Sequence, residues 1–254
     1  MWLILADETD TSALWLYNHL KRAGLNELQI VSSGAVAYNL YWNYRMSNDR
    51  SDAEFVFGDG RRLKTAGISG VFNRLTSLPA EHIRSPLLSG RRHTQREQMA
   101  YFVSWMYGLP VPVINRPSIY NLSGAWHEAA EWSMLASMTG LHLAPFCQSG
   151  VTAAEPEITC GRLTPFDMPV QTVYVVGSRV VGNHIPAHIA DACVRLSSMA
   201  KADLLGIQFV VNSPWSWLVA GISAYPELET GGEPLAEAVF QHMARQTYAA
   251  LAAC

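Results

Sequence analysis

The stretch Val113-Ile-Asn-Arg-Pro-Ser118, followed by Gly124-Ala-Trp-His-Glu-Ala-Ala-Glu-Trp-Ser-Met-Leu-Ala-Ser-Met-Thr-Gly-Leu-His-Leu-Ala-Pro145, decides the fold. Its apolar start predicts the end of a strand, and the Asn-Arg-Pro that follows predicts a turn. A helix is expected from about Gly124 to Thr139, because Gly140 is a frequent stop signal just beyond a helix. A strand, a turn and a helix in this order are typical of an α/β protein.

Strands and helices alternate in the pattern of the first half of the chain. Apolar runs bounded by turn residues predict strands, and apolar residues at helical spacing predict helices. The predicted elements are strand Trp2–Ala6, a helix that begins at Asp10, Thr11 or Ser12 and ends at Arg22 before Gly24, strand Leu28–Ser32, a hairpin of Glu54–Phe57 and Arg61–Lys64, strand Gly70–Arg74, helix Arg91–Tyr107 and strand Val111–Asn115.

The second half begins with a weaker pattern. Gln148–Pro169 is rich in Gly, Pro, Thr and Glu, which predicts a linker. The elements expected after it are a hairpin of Val170–Val176 and Arg179–His184, helix Ala187–Ala202, strands Leu204–Val211 and Trp217–Ser223, and helix Pro234–Ala253.

Composition excludes several classes of protein. The 254 residues are 49% hydrophobic and 15% charged, which predicts a globular protein of one large or two small domains. A net charge of −3 argues against a nucleic-acid or anionic-membrane partner, and no apolar run is long enough to span a bilayer. The apolar Met1–Ala6 lacks basic residues and predicts a strand, not a signal peptide. Four scattered cysteines without a C-x-x-C motif predict reduced thiols and a cytoplasmic location.

Five short motifs, in order, resemble the ATP-grasp ligases. Val173-Tyr-Val-Val-Gly-Ser-Arg-Val-Val-Gly182 is similar to the family hairpin "Arg-Val-Tyr-Val-Val-Gly-Asp-Arg-Val", and Leu205-Gly-Ile-Gln-Phe-Val210 to "Leu-Gly-Val-Asp-Phe". Val219–Pro226 takes the place of "Leu-Glu-Val-Asn-Pro-x-Pro", and Gly70–Arg74 that of "Val-Trp-x-Arg". The stretch from Val113 resembles the entry into the ATP-grasp core. The resemblance is to enzymes that act on ribosomally made peptides and to glutamate-tail ligases.

The resemblance implies an α/β fold in two parts. Residues 1–117 are expected to form a Rossmann-like, pre-ATP-grasp-like domain, and residues 118–254 a truncated ATP-grasp-like α+β domain. It also implies an ATP-dependent carboxylate–amine ligase that uses Mg²⁺. The central lid subdomain of the family, which bears two lysine-carrying strands, should lie between Pro145 and Val170. Because the interval is too short for it, we expect the lid to be missing.

The residues that this chemistry needs are replaced. Lysines neutralise the nucleotide phosphates, and carboxylates and an Asn hold the metal. The chain has only three lysines, none at a matching position, and Ser123-Gly-Ala-Trp126 stands where the family has Asn-Lys. By our alignment the metal positions hold Gln208, Gly221 and Ser223. We therefore expect no catalytic residues and no cofactor, with ATP and Mg²⁺ as the alternative.

Two Asn-Arg pairs are the predicted ligand-binding residues. Asn73 with Arg74, and Asn115 with Arg116, follow predicted strands at the ends where open α/β sheets bind ligands. A guanidinium there can bind a carboxylate through two hydrogen bonds. The alternative is that these arginines only tie loops of the protein together.

The sequence predicts a non-catalytic protein that binds a peptide or a partner protein, such as a full-length ATP-grasp ligase, in a biosynthetic or maturation pathway. We also expect a homodimer, or a heterodimer with a related ligase. One alternative is an active ligase whose nucleotide site is relocated or completed by a partner. Another is a small-molecule or metal-binding regulator, for which His184, His188 and Cys193 are candidate ligands. His127, Glu128 and Glu131 share a predicted helix but lack the second histidine of a zinc protease.

Overall fold

The computed structural model describes residues 1–46, 51–79, 88–118, 121–124, 127–150, 158–162, 170–213 and 216–252. The chain divides into two compact units. The first contains Met1–Trp126 and Glu227–Cys254, and the second contains His127–Pro226. The C-terminal helix thus belongs to the first unit. The boundary at residue 118, expected from the family resemblance, stays a prediction.

A four-stranded parallel sheet forms the centre of the first unit, as the alternating pattern predicts. Its strand order is β2-β1-β6-β7, and every pair of neighbours is parallel. The strands of this sheet are β1 (Trp2–Ala6), β2 (Leu28–Ser32), β6 (Gly70–Arg74) and β7 (Val113–Ile114). The helices of the unit are α1 (Thr11–Arg22), α2 (Ser33–Ala37), α3 (Leu88–Gly108) and α6 (Gly232–Ala252), with short 3₁₀ turns at Thr65–Gly67 and Glu229–Gly231.

The first βαβ unit shows which physical features allowed β1 and α1 to be predicted from the sequence. All five residues of β1 are buried, which is the expected environment of an apolar strand in a parallel sheet. Asp10 accepts a hydrogen bond from the backbone N–H of Ala13 and so caps α1 at its N-terminus. Gly24, with φ of 99°, follows the helix in a conformation that costs glycine little. These predicted bounds are confirmed.

The first unit also contains a small antiparallel sheet, in the order β3-β4-β5. Its strands are β3 (Tyr41–Met46), β4 (Ser51–Val56) and β5 (Arg62–Lys64). The predicted hairpin corresponds to β4 and β5, and β3 adds a third strand beside β4. Phe55 packs edge-on against Trp105 of α3, with 4.9 Å between ring centroids. Both are buried, so this contact attaches the small sheet to α3.

A five-stranded sheet in the order β12-β11-β13-β14-β8 forms the second unit. The three central strands pair antiparallel, and the predicted hairpin Val170–Val176 with Arg179–His184 corresponds to β11 and β12. The strands are β8 (His142–Leu143), β11 (Val170–Val176), β12 (Arg179–Val181), β13 (Leu204–Ser213) and β14 (Ser216–Ser223). The helices are α4 (Ala129–Met138) and α5 (Ala187–Ala200), and α5 packs against β11, β12 and β13.

Two predictions in this unit were wrong. The region predicted as a linker contains strands β9 (Phe146–Gly150) and β10 (Ile158–Arg162), which pair antiparallel from Phe146↔Arg162 to Gly150↔Ile158. The Gly, Pro, Thr and Glu content of this region suggested a linker. Pairing between β9 and β10 nevertheless stabilises both strands, although their residues have a low intrinsic preference for strands. Helix α4 begins at Ala129 and not near Gly124, since Glu131 accepts a hydrogen bond from the N–H of Glu128 in a capping box.

Candidate functional site

The carboxyl ends of the four parallel strands in the first unit meet at one edge of the sheet, with polar side chains at or just after each end. The edge carries Asp7 and Glu8 after β1, Ser33 after β2, Asn73 and Arg74 at the end of β6, and Asn115 and Arg116 after β7. Such edges are the usual ligand-binding positions of open α/β sheets. The contacts of each residue show what this edge can do.

Asn73 is buried and holds two chain segments together. Its Nδ2 donates to the backbone carbonyl of Asn115 at 2.9 Å and to that of Leu122 at 2.5 Å. Its Oδ1 accepts from the N–H of Leu75 at 3.2 Å. Both donors of the amide therefore serve backbone carbonyls that water does not reach. In these contacts Asn73 joins β6 to the loop after β7.

Arg74 forms a buried ion pair with Asp10. Its Nε donates to Oδ2 of Asp10 at 2.7 Å and its Nη2 to Oδ1 at 3.3 Å, while each side chain is only 3% exposed. Asp10 also caps α1, so one carboxylate serves both the helix and the guanidinium. Arg74 thus binds a carboxylate through two hydrogen bonds, as its guanidinium was expected to do. The carboxylate is that of Asp10 in the same chain and not that of a ligand.

A second carboxylate extends this network. The hydroxyl of Ser12 donates to Oε2 of Glu229 and accepts from the N–H of Leu228 at 3.0 Å. Burial alone would raise the pKa of Glu229, but hydrogen bonds to Ser12, its own backbone and Thr11, with the charge of Arg74, hold it below its ordinary value. The segment that leads into α6 is thereby attached to the start of α1.

Asn115 and Arg116 are also engaged within the protein. Asn115 is buried and has φ of 53°, in the left-handed region that Asn tolerates better than most residues. Arg116 Nη1 donates to the backbone carbonyls of Met106 at 2.6 Å and Tyr107 at 3.2 Å. These carbonyls lie in the last turn of α3, where a cation is favourable. Arg116 thus caps the C-terminus of α3.

The four predicted residues are therefore only partly brought together. Asn73 contacts Asn115, whereas Arg74 contacts Asp10 and Arg116 contacts the end of α3. Whether any of them binds a ligand stays a prediction. Sequence reasoning missed Asp10 as the partner of Arg74 and took it only as a helix cap. The pairing depends on the adjacency of the parallel strands β1 and β6, which no local pattern in the sequence shows.

Glu8 lies against the start of α2, at the same sheet edge. Its Oε2 accepts from the hydroxyl of Ser33 at 2.8 Å and its Oε1 from the N–H of Gly34 at 2.6 Å. A Cβ at position 34 would clash with Oε1 of Glu8, so a larger residue there would displace the carboxylate from this position. Burial alone would raise the pKa of Glu8, but these hydrogen bonds, with those of its own backbone and Ser32, hold it below its ordinary value of 4.5.

The lowered pKa of Glu8 makes a prediction about acid stability. A carboxyl whose pKa is depressed by folding contributes stability above its unfolded pKa and loses that contribution as the pH falls through the folded pKa. We expect Glu8→Gln to be less stable than the wild type at pH 7, and the difference to shrink below about pH 4.5. Urea unfolding of both proteins at several pH values measures it. Glu237→Gln, on the exposed face of α6, is the control, and a difference independent of pH would contradict the prediction.

Strands β13 and β14 of the second unit carry the three positions that the resemblance assigns to metal ligands. Gln208 of β13 lies opposite Gly221 of β14, and Gly206 lies opposite Ser223. Residues opposite each other share a face of the sheet. The side chains of Leu205, Ile207 and Phe209 alternate with these positions on β13, occupy the other face and are fully buried.

None of the residues of β11, β13 and β14 is charged. The three lysines lie elsewhere in the chain. Lys21 donates to the carbonyl of Asn26 in the first unit, Lys64 is exposed 3.6 Å from Glu54, and Lys201 ends α5 with φ of 53°. The three central strands thus offer only neutral polar groups on the sheet face that carries Gln208 and Ser223, whereas the oxygen ligands of a divalent cation usually include carboxylates.

Three histidines of the second unit lie near the starts of α4 and α5. His184 precedes α5, whose N-cap is Pro186, whereas His188 lies within the helix. Cys193 is fully buried, and burial raises the pKa of its thiol to about 12. His127 lies 3.5 Å from Glu131, at the start of α4. Within the described ranges, no group of three or more His, Cys, Asp or Glu side chains is arranged to hold a metal ion.

Comparison with known proteins places this fold. No family model matches the sequence, and no curated protein matches it. Several solved structures match the fold. One is a RiPP-associated ATP-grasp ligase of Chryseobacterium gregarium, in complex with ADP and a leader and core peptide. Its TM-score is 0.70 at 11% identity, and the match covers 96% of each chain. The macrocyclase MdnC of Microcystis aeruginosa, bound with its precursor peptide MdnA, has a TM-score of 0.70 at 12% identity, over 96% of this chain and 99% of MdnC.

A third match is the ATP-grasp ligase PsnB, complexed with a phosphomimetic variant of its minimal precursor, Mg and ADP. Its TM-score is 0.67 at 12% identity, over 95% of this chain and 98% of PsnB. The expected loss of a lid subdomain is not established by these matches and stays a prediction. No helix in the described part of the chain is long and apolar enough to cross a membrane. The mixed α/β architecture and these matches show that the chain has the fold of the ATP-grasp ligases, as the resemblance of its motifs implies.

Proposed function

We propose that this protein is a non-catalytic member of the ATP-grasp fold that binds a peptide in a peptide-maturation pathway. The observation that carries the proposal is the uncharged sheet β11-β13-β14, with Gln208, Gly221 and Ser223 at the positions expected to hold metal. Acyl-phosphate chemistry moves a highly charged phosphoryl group, and electrostatic stabilisation is the main help that a protein gives to that step. A neutral sheet face cannot provide it.

Peptide recognition is supported by the solved structures that share the fold. The three compared above all hold a peptide: the Chryseobacterium gregarium ligase holds a leader and core peptide, MdnC holds its precursor, and PsnB holds a variant of its minimal precursor. A fold can keep its binding surfaces after its chemistry has been lost, because the two depend on different residues. We also propose that the protein binds its peptide without ATP or Mg²⁺ as a cofactor.

Titration with Mg·ATP tests the catalytic half. We expect no saturable heat in isothermal calorimetry at millimolar ATP and Mg²⁺, because no lysine or carboxylate lies on the three central strands to bind the phosphates or the cation. A peptide-modifying ATP-grasp ligase titrated under the same conditions is the positive control. A dissociation constant in the micromolar range would contradict the proposal and favour an active ligase.

Selection from a displayed library of random peptides tests the binding half. We expect a related set of sequences to be enriched and to bind as free peptides with micromolar affinity, without added nucleotide. Peptides selected against heat-unfolded protein are the control for non-specific capture. If no sequence is enriched above that control, peptide binding is contradicted.

The second candidate is an ATP-dependent carboxylate–amine ligase whose nucleotide site is completed by another chain. It is favoured by the match to PsnB, whose structure holds Mg and ADP. Such a protein would bind Mg·ATP only in the presence of a related ligase. Calorimetry of the mixture, compared with the related ligase alone, separates the candidates, because only the second candidate adds binding sites for Mg·ATP beyond those of the ligase.

A further inference from the structure

Among the described strands, β3 lies at the edge of the small antiparallel sheet, and it carries an unusual set of side chains. Leu40, just before it, is 71% exposed, and Tyr41 and Trp42 are 51% and 48% exposed. The strand contains no proline and no lysine, which are common protections of an edge strand. An apolar edge of this kind is suited to pair with another strand.

The backbone groups available at this edge follow from the ladder. The N–H of Phe57 donates to the carbonyl of Arg61 at 2.9 Å, so odd-numbered residues of β4 direct their backbone groups toward β5 and even-numbered residues toward β3. The register pairs even-numbered residues of β4 with odd-numbered residues of β3. Trp42 and Tyr44 therefore direct their N–H and C=O groups away from β4, to a side where no described strand pairs with β3.

We propose that β3 pairs antiparallel with β3 of a second copy of this chain, about a two-fold axis that passes through Asn43. When the two-fold axis is perpendicular to the sheet, a given residue lies on the same face of the sheet in both copies. Residues opposite each other also share a face, so odd-numbered residues of β3 must lie opposite odd-numbered residues of the partner. Pairing centred on Asn43 places Trp42 opposite the partner's Tyr44, with N–H and C=O groups exchanged on both sides of the axis. The two small sheets become one six-stranded sheet.

Charge distinguishes this register from the one centred on Arg45. Centring on Arg45 would place two guanidinium groups opposite each other, which destabilises a strand pair. Centring on Asn43 places the exposed Arg45 opposite the partner's Tyr41, whose ring attracts a cation. The amides of the two Asn43 side chains meet at the axis, and each can donate to and accept from the other. The edge is thus complementary to itself, which favours a second copy over an unrelated peptide.

A register-specific cross-link tests the proposal. Residues that face each other in a non-hydrogen-bonded pair have Cα atoms about 4.5 Å apart, within the range that a disulfide spans. We expect Asn43→Cys to form a covalent dimer under mild oxidation, seen as a doubled mass on a non-reducing gel. Tyr41→Cys is the matched control, since residue 41 of the two copies would lie roughly 13 Å apart. Equal cross-linking of both variants, or of neither, would overturn the register.

A charge exchange on the exposed face gives an independent readout of association. Tyr41→Lys places a cation opposite the partner's Arg45 and should weaken the dimer by about tenfold, whereas Tyr41→Glu should preserve or strengthen it. Adding Arg45→Glu to Tyr41→Lys should restore the dimer. Sedimentation of the whole chain measures all four proteins, and circular dichroism checks their folding. A monomeric wild type, or equal effects of Lys and Glu at position 41, would refute the proposed interface.

Discussion

Replacing Arg74 by alanine is expected to destabilise the protein by about 3–5 kcal/mol, because it leaves the buried carboxylate of Asp10 without its cation. Both side chains are 3% exposed, and the carboxylate cannot recover the lost interaction from water. For a chain of this size, the loss corresponds to a fall in melting temperature of roughly 10 °C. Thermal unfolding followed by circular dichroism measures it.

Arg61 provides a matched control, because it also pairs with an aspartate. Arg61 and Asp59 are each 51% exposed, and an exposed pair contributes little to stability because water and salt screen its charges. Arg61→Ala should therefore change the melting temperature little. Peptide affinity of the folded Arg74→Ala and Arg116→Ala proteins then separates a binding role from a structural one. If Arg74→Ala were as stable as Arg61→Ala, the importance of the buried pair would be refuted.

Trp105→Ala is expected to have an effect of similar size, about 3–5 kcal/mol, by creating a cavity in the core of the first unit. Trp105 is 1% exposed and packs edge-on against Phe55 and Phe102, with ring centroids 4.9 and 5.6 Å away. Because Phe55 belongs to β4, the variant should also weaken the attachment of the small sheet to α3. Urea unfolding measures the loss.

Tyr248→Ala serves as the control for removing an aromatic residue from a helix surface. Tyr248 lies in α6 and is 74% exposed, so its removal should change the unfolding free energy by less than about 0.5 kcal/mol. If Trp105→Ala cost no more than Tyr248→Ala, the packing of α3 against the small sheet would not contribute to stability.

Most elements of the fold could be predicted from local signals. The apolar run Trp2–Ala6, the cap at Asp10 and the stop at Gly24 all lie within one βαβ unit, and the structure confirms each. Helix α2 and the strands β3, β8, β9 and β10 were not predicted. Strands β9 and β10 have a composition of low strand propensity and depend on pairing with each other. The Tyr and Trp residues of β3 favour a strand, so that element was missed although its composition indicates it.

The candidate site was predicted less completely. The sequence identified Asn73, Arg74, Asn115 and Arg116 as polar groups at strand ends, and the structure places them there. It could not identify their partners. Asp10 precedes Arg74 by 64 positions, and burial, which makes their ion pair costly to break, is a property of the folded chain alone.

By itself, the sequence determined the α/β class and the motifs that resemble the ATP-grasp ligases, because apolar spacing and turn residues act over short distances. It also determined that the strands β11, β13 and β14 carry no charge. Only the tertiary structure decided that Gln208 lies opposite Gly221, that Arg74 is neutralised by Asp10, and that the edge of β3 is exposed. The physical reason is that register, burial and edge exposure depend on which distant segments pack together.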